Sequence, residues 1–215
     1  VARGYFITFE GGEGAGKTTQ ADLLTERLRG KRIDVFRTRE PGGTPRAEAI
    51  RDVLLSGKAK ALGPLGEAVL FYAARESHLE LAIRPALAKG TWVVCDRFSD
   101  STRAYQGAGG GVSMGTLAAL ESAVVGATKP DLTILIDLPP EIGLRRAAAR
   151  ASARHDGSAA DRFESMNLAF HQALRDEFLA LAEAEPNRIA VIDGRLPVDQ
   201  VAEQIWSGVR QRFGV

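Results

Sequence analysis

Cysteine is nearly absent. Cys95 stands alone in a chain of 215 residues, which excludes an internal disulfide framework, and no Cys/His cluster has the spacing of a zinc site. No apolar run approaches the ~20 residues that cross a bilayer. Residues 1–12 contain no secretory apolar core, so a cytoplasmic location is expected. A dominant charge is lacking too: 28 Lys plus Arg face 27 Asp plus Glu, for a net +1. That balance argues against nucleic acid or an anionic membrane as partner. Lysine is scarce, only six of the 28 basic residues. Arginine's planar fork suits phosphate and carboxylate, although codon bias in an Ala- and Gly-rich chain is the plainer reading of the excess.

What remains is a regular alternation of short apolar runs and helix-length segments. Strands are expected at 5–9, 33–38, 91–95, 132–138 and 188–192. Helices are expected at 17–29, 46–55, 65–89, 113–127, 140–153, 162–184 and 198–213, with Pro85 kinking or restarting the third. Strands that are nearly all apolar, separated by helices, imply a parallel sheet covered on both faces. The glycine-rich 107–111 and the polar 152–161 stand apart as candidate mobile loops. Arg145, Arg146, Arg150, Arg154 and Arg162 flank the second and make a basic flap of it. One domain spanning 1–215 is expected, with a lid at about 146–164.

Residues 11–18 read Gly-Gly-Glu-Gly-Ala-Gly-Lys-Thr and fit G-x-x-x-x-G-K-[ST]. Glycines let backbone amides turn inward, and the helix that follows offers its unpaired N–H groups to phosphate. Gly11, Gly12, Glu13, Gly14, Ala15, Gly16, Lys17, Thr18 and Thr19 are the expected ATP-binding set. Lys17 would reach the β- and γ-phosphates, and Thr18 would ligate Mg²⁺. The segment Thr128-Lys129-Pro130-Asp131 superficially fits the guanine-reading [NT]-K-x-D. It precedes a strand instead of following one, so it reads as a helix-to-strand turn.

Asp96-Arg97 closes a strand, and in a parallel sheet ligands bind outside the carboxyl ends. Asp96 there can hold Mg²⁺ or its waters, and Arg97 can clamp a phosphate. A strand-end salt bridge is the structural alternative.

The run Asp96-Arg97-Phe98-Ser99-Asp100-Ser101-Thr102-Arg103-Ala104-Tyr105-Gln106-Gly107 resembles the D-R-[YH]-x-x-S-[ST]-x-A-Y-Q-G signature of thymidylate kinases. Phe9 to Thr19, Thr38-Arg39-Glu40-Pro41-Gly42-Gly43-Thr44 and Leu70-Phe71-Tyr72-Ala73-Ala74-Arg75 agree with the same family in order and spacing. The resemblance implies an α/β fold with a P-loop NTPase-type parallel sheet of about five strands, helices on both faces and a small basic lid. It implies transfer of the γ-phosphoryl of ATP to dTMP, with Mg²⁺ as cofactor and a homodimer as the assembly.

The same resemblance distributes roles. Phe71 would stack on thymine and Arg75 would donate to a base carbonyl, with Ser101, Thr102 and Gln106 around them. Tyr105 would crowd the sugar 2′ position. Arg97 and Arg51 would hold the acceptor phosphate, and Glu40 would sit near that phosphate and metal-bound water. Lys17, Arg97 and Glu13 form the catalytic set with lid arginines drawn from Arg150, Arg154 and Arg162, because Gly14 occupies the position where some members carry a P-loop arginine. Two other readings stay open: another nucleoside monophosphate or a deoxynucleoside as acceptor, and a nucleotide-dependent switch or ATPase module that makes no dTDP.

Overall fold

The computed structural model describes residues 3–153 and 162–215. Among them, five parallel strands form one sheet in the order β2-β3-β1-β4-β5. The strands are β1 Phe6–Glu10, β2 Val35–Arg39, β3 Trp92–Asp96, β4 Leu132–Asp137 and β5 Ile189–Asp193. Alternate strand residues point to opposite faces, and the chain uses that period to divide its core. Ile7, Phe9, Trp92, Val94, Ile134 and Ile136 face one layer. It is completed by Ala21, Leu24 and Leu28 of α1 (Lys17–Gly30) and by Val201, Ile205 and Val209 of α9 (Val198–Phe213). Phe6, Val93 and Cys95 face the other layer, where Tyr72, Phe98 and Leu117 pack. Those residues belong to α3 (Gly63–His78), the loop after β3 and α6 (Met114–Val124). Leu135 joins Tyr105 and Phe178 of α8 (Leu168–Ala184) in a third cluster beside it.

Three segments depart from the sequence expectation. The single helix expected over 65–89 is α3, then a π-turn at Leu79–Ile83, then α4 (Arg84–Ala88). The Arg84 N–H reaches back to the Leu79 carbonyl. Pro85 has no N–H to give and its ring would collide with a carbonyl four residues earlier, and the widened turn absorbs both defects. Residues 99–108 are helical, which periodicity missed: α5 (Ser99–Thr102) runs into a second π-turn, Arg103–Ala108. In the adjoining 107–111 run Gly107 is buried and a Cβ on Gly109 would stand 2.5 Å from the Phe170 ring, while Ala108 and Gly111 are exposed. Finally, 162–184 is interrupted. A short 3₁₀ turn covers Arg162–Ser165, and α8 starts afresh where the Asn167 side chain accepts the Phe170 N–H at 2.9 Å.

The remaining elements are α2 (Pro45–Leu55), a 3₁₀ turn at Lys58–Leu62 and α7 (Pro140–Ala153). Asp131 accepts the Phe6 N–H at 2.8 Å and pairs with Arg3. The 128–131 segment is thus the tie between α6 and the central strands.

Candidate active site

Every strand ends on a carboxylate or is followed at once by one: Glu10, Glu40, Asp96, Asp137 and Asp193. This places five acids along one edge, and arginines answer them. Arg175 forks onto Asp137 at 2.7 and 2.8 Å, and Arg195 pairs with Asp193. A cavity of about 450 Å³ opens at the same edge.

The phosphate loop supplies one wall. Gly11 to Gly16 link β1 to α1, whose first residue is Lys17. Lys17 lies buried and donates to the carbonyls of Gly11 (3.1 Å) and Gly12 (2.7 Å). Burial, helped by nearby Arg97, pulls its ammonium down to about 8. Gly14, Gly16, Lys17, Thr18 and Thr19 line the cavity directly. Gly11 and Ala15 are buried in the turn beneath. The Thr18 hydroxyl donates to Asp96 Oδ2 at 2.5 Å, bringing the two expected metal-site residues together.

Glu13 stands in the loop and is held through one oxygen, Oε1. It accepts from Arg97 Nη2 at 2.8 Å and from the Tyr105 hydroxyl at 2.6 Å. Burial alone would raise its pKa, but Arg97, Lys17 and the Tyr105 hydroxyl outweigh that and hold it at about 2. Such a carboxylate takes no proton near neutrality. It holds Arg97, whose guanidinium also lies 5.0 Å from the Tyr105 ring. Arg97 has φ of +69°, a left-handed backbone that costs a non-glycine residue about 1–2 kcal/mol. Glu10 steadies this turn. It accepts the Phe98 N–H at 2.7 Å and the Ser101 hydroxyl at 2.6 Å. Burial and neighbouring Asp100 push Glu10 up to about 7, against the pull of Ser101, Arg97 and Phe98.

The opposite wall comes from α2, α3, α5 and the second π-turn. Arg51, Phe71, Arg75, Ser101, Thr102, Tyr105 and Gln106 all line the cavity. Arg75 is only 2% exposed. Its Nε donates to Glu40 Oε2 at 2.8 Å and its Nη2 to Thr102 Oγ1 at 3.2 Å. Its Nη1 is buried without a partner in the protein. An unmade hydrogen bond on a buried donor costs about 1–3 kcal/mol, so an acceptor brought to Nη1 would be stabilising.

Two sequence-derived residues lie partly or wholly outside the described chain. Arg154 falls outside the described residues. Arg162 begins the 3₁₀ turn, and its side chain is outside them too. Arg150 of α7 lines the cavity. Glu40 lines it as well but is taken up by Arg75 and His78. Sequence reasoning missed Arg39, Pro41, Leu55, Phe98 and Phe163 as lining residues. Leu55 could have been found, because it follows Arg51 by one helical turn. Phe163 lies edge-on to Tyr105 with centroids 5.1 Å apart.

Comparison with known proteins places this architecture. A family model described as thymidylate kinase matches residues 9–205. A thymidylate kinase from Caulobacter vibrioides is 53% identical over 215 residues, covering 100% of both chains. One from Nitrobacter hamburgensis is 51% identical over 212 residues, or 99% of this chain and 90% of that one. The crystal structure of thymidylate kinase from Ehrlichia chaffeensis superposes with a TM-score of 0.76 at 33% identity, covering 97% of this chain and 99% of that one.

Proposed function

The chain belongs to the thymidylate kinase family, and from that premise we propose how its own residues divide the work of moving the γ-phosphoryl of ATP onto dTMP. The products are ADP and dTDP. A nucleoside monophosphate is already largely dianionic near pH 7, its second pKa being about 6, so the acceptor needs no protein base. Glu13, held at about 2, is unsuited to be one. The obstacle is the approach of two anions, which positioned cations overcome.

Lys17 and the loop amides hold the donor phosphates. Arg97, aimed by Glu13 and Tyr105, holds the acceptor phosphate with Arg51. Arg150 reaches the same space from α7 and is the described lid arginine best placed to meet the transferring group. Phe71 stacks on the base and Tyr105 stands beside the sugar. The observation that carries the base assignment is the buried, unpartnered Nη1 of Arg75, a residue that lines the cavity. A thymine carbonyl satisfies it, whereas the amino group of cytosine would set donor against donor.

A magnesium ion fits the Thr18–Asp96 pair, because a hydroxyl and a carboxylate oxygen at the crevice leave the remaining positions to phosphates and water. Bound there, it would neutralise charge on the β- and γ-phosphates. Arg37 stands 3.9 Å from Asp96.

A homodimer in the cytoplasm completes the reading. Leu65 and Val69, one turn apart on α3, are 50% and 47% exposed, and an apolar helix face of that kind suits a second copy. No helix among the described residues is long and apolar enough to cross a membrane.

The test is a screen of phosphate acceptors with product identification. dTMP should give dTDP with the highest kcat/KM, and dCMP should trail it by at least about two orders of magnitude. Equal values for the two would remove the base assignment.

A further inference from the structure

The base-reading arginine is held by a chain of buried groups that ends on a histidine the chemistry above does not use. His78, at the last position of α3, has no exposed surface. Its Nδ1 lies 3.0 Å from Glu40 Oε1 and its Nε2 lies 2.8 Å from Thr38 Oγ1. The ring fills the place where Gly43 would carry a side chain: a Cβ there would stand 2.4 Å from Nε2. The second glycine of Glu40-Pro41-Gly42-Gly43-Thr44 therefore makes room for an imidazole that comes from another element.

Hydrogen-bond chemistry gives the Glu40 contact one direction. A carboxylate paired with the Arg75 guanidinium accepts, so Nδ1 donates to Glu40. Nε2 faces the Thr38 hydroxyl, which can donate or accept.

Glu40 is thereby split between two partners, with Oε2 for Arg75 Nε and Oε1 for His78. Held by both, the carboxylate has one setting, whereas released from His78 it would be free to rotate and to carry the Arg75 Nε–H with it. We infer that His78 is a positioning residue for acceptor-base recognition: by holding one oxygen of Glu40 it fixes the carboxylate that in turn fixes Arg75 in the cavity wall. The inference rests on the reading that Arg75 meets the base.

Steady-state kinetics on the full chain tests it. His78→Leu should raise KM for dTMP at least about tenfold while kcat and KM for ATP stay within about twofold. His78→Asn, whose amide N–H can replace the Nδ1–H, should recover most of the loss. Arg75→Met separates the two levels. If it leaves KM for dTMP unchanged, the base assignment fails and this inference with it. If Arg75→Met raises KM but His78→Leu behaves as wild type, the assignment stands and the role of His78 is overturned. A second measurement needs no variant at this site. The chain has three histidines, so ¹⁵N spectra of the wild type can be assigned by elimination with His155→Gln and His171→Gln. An Nδ1–H at His78 is expected, and a ring with its proton on Nε2 alone would overturn the inference.

Discussion

A Cβ on Gly14 would stand 2.1 Å from the carbonyl oxygen of Gly143, and one on Gly143 would stand 2.2 Å from the carbonyl oxygen of Glu13. The phosphate loop and the first turn of α7 therefore touch backbone to backbone. No side chain fits at position 14 unless one of the two backbones moves, and Arg150 of α7, which lines the cavity, is the arginine proposed to act in its place. Gly143→Ala tests this without the added strain of a positive φ. The methyl group must push the loop away from α7, and turnover should fall at least about tenfold, the effect of ~1.4 kcal/mol on the barrier. The check is kcat at saturating substrates, with the melting temperature as a control for folding.

Arg150→Ala removes the cation that α7 brings to the cavity. Turnover should fall by about 10²-fold or more, with KM for dTMP little changed, because the interaction is made mainly in the transition state. Single-turnover rates at saturating ATP read this directly.

Tyr105 joins two tasks, since its hydroxyl holds Glu13 and its ring lies beside Arg97 and Phe163. Tyr105→Phe keeps the ring and loses the tether, and should lower kcat about three- to tenfold. Tyr105→Ala opens the sugar side and should raise the relative use of ribothymidine monophosphate over dTMP. Competition between the two acceptors measures that ratio.

Glu10 carries a pH signature in stability. Its folded pKa is raised to about 7 from 4.5, by burial first and Asp100 second. Arg97 faces it too, as do Lys17, Arg75 and Cys95 more weakly. A raised folded pKa means that the native state binds the proton more tightly than the unfolded chain. This contribution is thus fully present below about pH 4.5 and is lost as pH rises through about 7. Relative to Glu10→Gln, the wild type should lose stability between pH 5 and pH 8, a range of about three units. Melting curves of both proteins across it provide the check, and parallel curves would contradict the assignment.

The sheet and its flanking helices were readable because their signals are local. Apolar runs mark the strands, Gly11–Thr18 marks the loop, and Ala21, Leu24 and Leu28 mark a helix face. The helical path from Ser99 to Ala108 was not readable from period alone, because a π-turn shifts the apolar register where Tyr105 and Gln106 turn inward. Pro85 announced a break but not its form. The cavity residues within motifs were legible by resemblance, whereas the Thr38–His78–Glu40–Arg75 chain was not. Its members lie about forty positions apart and meet only once β2 and α3 are docked. Glu10 escaped for a similar reason, since its partners Phe98 and Ser101 follow a different strand.

The central claim is that two anionic nucleotides meet end to end in one cleft between the glycine loop and Arg97. A crystal structure with dTMP and a non-hydrolysable ATP analogue tests it most directly. The account predicts the analogue's phosphates on Lys17, the dTMP phosphate on Arg97, and a thymine carbonyl on Arg75 Nη1. A dTMP bound elsewhere, with Arg75 Nη1 still unpartnered, would contradict it.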